Sequence, residues 1–330
     1  MTSRERVRRA ITFTGPDRIP YQLPDPWGGD FRWTGFDSDP DWKPPVPGMD
    51  EWGSVWETLD ASMGQVKRPA IADWSELDKV RWPAFVTPER TKSARETVGQ
   101  DDDRFVLASI PNYLWERMNR MRGIENALAD LCAYPEETEH LLDRIAEEAL
   151  KQIDFFGEIG ADGIISCEDW GLQNRLMINP ATWRRMFKPR YAQLFGRAHE
   201  HGMFVVMHSC GYIVDILDDL IEVGLDVIEL DQQEHMGIDL LSERFGGRLA
   251  FWCPVDIQQT MVYGTVEDVK NYARRMMWQL GRFNGGYIGF WYGSPKAVNH
   301  DMAKVNAMAE VFATEGTYPL RPPPRTAATA

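Results

Sequence analysis

The chain has 330 residues, 43% of them hydrophobic, which supplies a full core at a size common for one α/β barrel. Its formal net charge of −14 and pI near 5.0 exclude the basic face that nucleic acid requires. No apolar run approaches the roughly 18 residues of a membrane span, and the opening Met1-Thr2-Ser3-Arg4-Glu5-Arg6-Val7-Arg8-Arg9 lacks the apolar stretch of a signal peptide, so a cytoplasmic protein is expected.

Ser3 to Thr12 is expected to form a short helix capped by Ser3. Gly15-Pro16-Asp17 breaks it, and Arg18 to Leu23 is a candidate first strand. Pro24 to Asp50, rich in Pro, Gly, Asp and Trp, reads as a long irregular loop whose aromatic content favours a packed lid. Strand pieces are expected at Val55-Trp56-Glu57-Thr58 and Ala70-Ile71-Ala72, a helix over Pro88 to Val98 with Thr87 as its cap, and a strand over Arg104 to Ile110. Helical runs follow from Leu114 to Met121, from Ile124 to Cys132 and from Pro135 to Phe156. The last carries Leu141, Leu142, Ile145, Leu150 and Ile153 on one side.

From Gly163 onward the alternation is regular. Strands are expected at Gly163 to Ser166, Phe204 to Met207, Asp226 to Leu230, Leu249 to Trp252 and Tyr287 to Phe290. Between and after them run helices: one capped by Asn179 and continuing to about His201, then Val214 to Glu222, Ile238 to Arg244, Val266 to Leu280 and Met302 to Thr314. Such alternation implies a parallel sheet, and the strand spacing suits a (β/α)8 TIM barrel, with an open doubly wound sheet as the alternative. A single barrel domain over 1–317, including an N-terminal extension over 1–100, and a flexible tail over 318–330 are expected.

In a barrel, the residues just past each strand's carboxyl end face one mouth. They are Glu168, Asp169 and Trp170; His208 and Cys210; Glu229, Asp231 and Gln232; Cys253 and Asp256; and the turn from Tyr292 to His300. His208 and Cys210, two apart on an extended segment, point the same way and suit two ligands of one zinc ion. The alternative is a buried free Cys beside a core His. Cys253 also follows a β-type run and is expected to complete the site, unless it is a small core filler. Glu168 and Asp169 are catalytic candidates, or caps of the following turn. Asp231 is a third catalytic candidate, or a loop carboxylate bonded to backbone amides. Thirteen tryptophans suggest a pocket for a flat ligand, with Trp27, Trp170, Trp252 and Tyr292 as its lining. The four cysteines show no CxxC pair and read as reduced thiols.

Ala161-Asp162-Gly163, Glu168-Asp169-Trp170-Gly171, Pro180, Trp183, Phe187-Lys188-Pro189-Arg190-Tyr191 and His208-Ser209-Cys210-Gly211 resemble the uroporphyrinogen decarboxylase superfamily. Phe13-Thr14-Gly15-Pro16-Asp17-Arg18-Ile19-Pro20 and Gly285-Gly286-Tyr287-Ile288 fit it as well. The resemblance implies a (β/α)8 barrel and a homodimer. It leaves two chemical branches. True uroporphyrinogen decarboxylases use no metal and hold their substrate with an arginine-rich N-terminal segment; here that place carries Trp27-Gly28-Gly29-Asp30. The other branch resembles methylcobalamin:coenzyme M methyltransferases, which hold zinc by an H-x-C pair and a later Cys.

His208 and Cys210 match that pair, but the late Cys falls near Lys296 and no Cys follows Cys253. The resemblance therefore implies that Cys253 or a carboxylate, Asp231 before Glu229, replaces it. The expectation is a corrinoid-dependent methyltransferase, zinc-assisted, working with a corrinoid (cobalamin) protein as partner. Its substrate would be a small methylated molecule such as a methoxylated aromatic in an O-demethylase system. The alternatives are a metal-free decarboxylase of a small carboxylate and a non-catalytic corrinoid-binding relative.

Overall fold

A computed structural model describes residues 1–57, 64–100, 102–111 and 113–323; Thr58 of the first expected strand piece and the tail beyond 323 lie outside them. The strands are β1 (Phe31–Thr34), β2 (Val55–Glu57), β3 (Gln65–Arg68), β4 (Phe105–Ser109), β5 (Gly163–Cys167), β6 (Phe204–His208), β7 (Val227–Glu229), β8 (Ala250–Cys253) and β9 (Tyr287–Gly289). The helices are α1 (Ser3–Ile11), α2 (Lys92–Val98), α3 (Trp115–Arg122), α4 (Ile124–Ala133), α5 (Pro135–Ile159), α6 (Pro180–Met186), α7 (Lys188–Glu200), α8 (Val214–Glu222), α9 (Ile238–Phe245), α10 (Thr260–Tyr263), α11 (Val266–Gly281) and α12 (Met302–Glu315). Among the described residues, no helix is long and apolar enough to cross a membrane.

Seven strands form one parallel sheet in the order β1-β4-β5-β6-β7-β8-β9. Strand side chains alternate between faces, and both faces here are apolar, as expected of a parallel sheet covered on each side. Phe31, Phe105, Leu107, Val206, Val227, Ala250, Trp252 and Ile288 make an inner cluster, which Val7 and Ile11 of α1 join. The intervening residues Val106, Ile164, Val205, Met207, Ile228, Phe251 and Tyr287 belong to a second, larger cluster shared with the helices. Arg4 N–H donates to Asp103 O and Gly286 N–H to Ala10 O. These bonds fix α1 under the amino ends of β4 and β9, where it plugs the inner core.

The candidate first strand, Arg18 to Leu23, is not formed as a strand. Tyr21 makes one parallel bridge to Gly289 and Gln22 one antiparallel bridge to Gly29. Pro20 and Pro24 lack an amide donor, and the chain turns back at Gly28 and Gly29, so no ladder extends here. The loop expected over Pro24 to Asp50 instead contains β1. The small hairpin pairs β2 with β3, whereas Ala70 to Ala72 is not strand. The helix expected from Asn179 to His201 is two helices, because Pro189 carries no N–H for a continuous ladder. The cap of α1 is Thr2, whose hydroxyl accepts from Glu5 N–H, while Ser3 donates to Asp30. At the other end, the Tyr318 hydroxyl donates to Gly281 O and Leu320 packs against the outer core.

Candidate functional site

The register sets Cys167 beside His208 and His208 beside Glu229. All three share the phase of the inner-facing residues Ile165, Val206 and Val227 two positions earlier, so they form one polar layer on top of the packed inner core. The loops that follow are clamped together. Gly171 N–H donates to Cys210 O, and Cys210 N–H donates to Asp169 Oδ1 at 2.9 Å. Trp170 N–H donates to Ser209 Oγ. Gly211 has φ +74°, and a Cβ there would lie 2.5 Å from Gly171 backbone atoms. Only glycine combines that backbone with that approach, which is why His208-Ser209-Cys210-Gly211 ends as it does.

Both His208 nitrogens are engaged. Nδ1 is hydrogen-bonded to Glu229 Oε2, and Nε2 lies 3.3 Å from Cys210 Sγ and 3.4 Å from Asp169 Oδ1. Two sets of ligand atoms gather around this ring, each within 4.8 Å of one another: His208, Cys210 and Asp231, and Cys167, Asp169 and His208. The donor set fits a tetrahedral N/S/O metal ion such as zinc. Bonds of about 2.0 Å to nitrogen and 2.3 Å to sulfur give an N···S edge of about 3.5 Å. Asp231 Oδ1 is buried without a hydrogen-bond partner among the described residues, which leaves an acceptor aimed at the cluster. A carboxylate on the far nitrogen of a ligating His is the usual supporting contact of such sites, and Glu229 occupies that place.

Electrostatics tie the cluster together. Burial lowers the His208 pKa, but Glu229, Asp169 and Cys210 outweigh it and raise it well above the ordinary value. Burial raises Asp169, but His208 and the Cys210 amide draw it down overall. Asp231 is pushed up to about 8 by burial and then by Glu229. Burial also raises Cys210, against the pull of His208.

Cys253 is not brought to this cluster. It follows Trp252 on β8, and Trp252 is the partner of Glu229 in the inner-facing row. Cys253 therefore points outward into the helix-side core, fully buried. Glu168 has the same outward phase. It accepts from Trp115 N–H at 2.9 Å and the Tyr191 hydroxyl at 2.7 Å, and burial holds its carboxyl well above the usual range. Trp170 is fully buried, stacked on Trp115 and edge-on to Trp183 and Phe187. Trp252 stacks on Phe31 within the inner core. Trp27 is half-buried against the outer core.

Tyr292 lies within electrostatic reach of the cluster: burial raises its pKa first, then Asp231 and Cys210. Asp256 caps a turn, accepting from Gln259 N–H and Thr260 N–H. Lys296 is exposed, and His300 bonds to Ile257 O. Cys167 was not among the ligand candidates of the sequence. The signal for it was its place two residues before Asp169, the same i, i+2 spacing as His208 and Cys210.

No curated protein matches the chain. In fold it is similar to a methyltransferase from Methanosarcina mazei, at 16% identity and a TM-score of 0.70, over 94% of this chain and 98% of that one. Weaker likenesses include 2,3-dimethylmalate lyase, of the PEP mutase/isocitrate lyase superfamily, at 12% identity, over 94% of this chain and 87% of that one, with a TM-score of 0.41. Residues 65–314 match the uroporphyrinogen decarboxylase family. That span contains every strand from β3 to β9 and both ligand sets, and the chain belongs to the uroporphyrinogen decarboxylase family.

Proposed function

We propose that the chain is a zinc-assisted methyltransferase that moves a methyl group between a small methylated substrate and a corrinoid carried by a partner protein. The observation that carries this reading is the His208 ring, fixed through Nδ1 by Glu229 and facing Cys210 Sγ and Asp231 with Nε2. His208, Cys210 and Asp231 would hold the ion and leave a position for substrate. Zinc at this place would supply a Lewis acid that lowers the pKa of a bound thiol or alcohol. Glu229 keeps the His208 tautomer correct. Asp169, beside the same ring nitrogen as Cys210, positions substrate or takes a proton, and Tyr292 binds substrate. The fold likeness to a methyltransferase over nearly the whole chain supports methyl transfer over decarboxylation. The substrate of this reading is a methoxylated aromatic, in an O-demethylation reaction.

Elemental analysis of purified protein tests the metal. Near-stoichiometric zinc is expected in the wild type and in Cys253→Ser, and none in Cys210→Ser. Methylation of free cob(I)alamin by methoxylated aromatics, followed by its spectrum, tests the transfer. Wild-type protein that takes up no zinc on reconstitution would sink the reading.

A further inference from the structure

Helix α3 carries a buried cation with no counterpart in the metal cluster. Arg117 is 5% exposed, and its Nε is buried without a partner among the described residues. Its guanidinium lies over the Trp52 ring, 4.2 Å from the centroid. Burial, then Arg120, lowers its pKa, while Asp50, Glu116 and Glu168 raise it. The net value of about 10 leaves it charged at neutral pH. Holding an unpaired charge inside a protein is costly, and stacking on one ring offsets only part of that cost.

A shallow depression of about 290 Å³, open to solvent, lies beside it, lined by Trp52, Trp56, Phe85, Pro111 and Arg117. The other charged groups on its rim are engaged elsewhere. Asp50 accepts from Trp52 N–H, Ser54 N–H and Trp56 Nε1–H. Glu51 pairs with Arg90 at 2.6 Å, and Arg120 pairs with Glu116. A guanidinium lining an aromatic-edged depression is suited to a flat anion: the planar donor fork matches a carboxylate and the rings match a flat apolar body. The Asp50 and Glu51 charges on the rim repel a dianion more than a monoanion, which disfavours phosphate.

We propose that this depression binds an aromatic carboxylate, with the carboxylate on Arg117 and the ring against Trp56 and the edges of Trp52 and Phe85, whose faces Arg117 and Arg90 cover. None of these residues belongs to the ligand sets around His208. Glu116, one residue before Arg117 on α3, is raised by burial and then by Asp169. The proposal does not rest on methyl transfer, and metal-free protein should bind as well as the zinc-loaded form.

Calorimetric titration with benzoate, its neutral isostere benzamide, and sulfate tests it. Saturable binding of benzoate is expected, with benzamide and sulfate weaker by about tenfold or more. Arg117→Met should abolish benzoate binding and, by removing an unpaired charge, melt no lower than wild type; Arg117→Lys should retain part of it. The proposal is overturned if wild type does not bind benzoate, if benzamide or sulfate binds as tightly, or if Arg117→Met binds benzoate unchanged. Should Arg117→Met fail to fold, the ligand comparison on wild type and the Arg117→Lys titration decide alone.

Discussion

His208 gives the mouth its chemistry because its two nitrogens have different neighbours. Without a metal, burial works against a charged ring but the surrounding acids win, so the imidazole is protonated at neutral pH. Asp231, raised to about 8, and Cys210, raised as well, also hold their protons. A cation entering here must displace protons, so its affinity rises with pH, by about tenfold per pH unit for each proton released. Zinc titrations between pH 6 and 8 in buffers of different ionisation heat should show that slope and a matching proton release; a flat profile would mean that these groups are not the ligands. Glu229→Gln should weaken zinc by about 10- to 100-fold by loosening the ring. The H-x-C pair was legible in the sequence because i and i+2 on a strand share a face whatever the neighbours do. The outward placement of Cys253 shows the same rule in reverse. A strand's phase against its neighbours depends on register, and only the pairing of Trp252 with Glu229 shows that Cys253 looks outward.

Among the elements, α1 and β1 depend on one buried carboxylate. Asp30, with a side chain 1% exposed, takes bonds from Ser3 Oγ, from Arg6 at 2.7 Å, from Arg18 at 2.8 Å and from Tyr21 N–H. It lies between α1 below the inner core and the start of β1. Removing it leaves Arg6 with the half-exposed Asp17 as its remaining ion-pair partner, beside the Met1 carbonyl, and breaking a buried pair from one side costs about 3–5 kcal/mol. Asp30→Ala should lower the melting temperature by several degrees and loosen α1, whereas Asp17→Ala, at the exposed end of the same network, should cost about 1 kcal/mol or less. Equal losses from both would refute the ranking. Long periodic elements such as α5, α8 and α11 were legible within about a turn of their ends, since their apolar stripes are wide. β1 was not, because Phe31-Arg32-Trp33-Thr34 lies in a stretch whose Gly and Pro content reads as loop. Nor was the break at Phe187, where one proline outweighs an otherwise continuous helical pattern.

The whole molecule follows from two faces of one sheet. Every strand from β4 to β8 alternates between an inner set and an outer set, and the site is the point where the inner set turns polar, at Cys167, His208 and Glu229. The class of fold was legible from the strand–helix alternation; that Arg18 to Leu23 would not pair as a strand was not, since single bonds rather than a ladder hold it. Gln22 N–H donates to Gly289 O, Gly289 N–H to Pro20 O, and Asp30 N–H to Tyr21 O, and these tie the stretch before β1 to β9. Central strands such as β6 are bonded on both sides and open only in large unfolding events, whereas a seam of isolated bonds opens locally at low free energy. Native-state hydrogen exchange should therefore separate them: the amides of Gln22, Leu23 and Asp30 should exchange at least about a hundredfold faster than those of Val205, Val206 and Met207. If Asp30→Ala further speeds exchange at Gln22 and leaves Val206 unchanged, the seam opens as its own unit and the buried carboxylate holds it shut. If both regions speed up together, the seam and the sheet unfold as one, and the bonds to Gly289 hold as firmly as a paired strand.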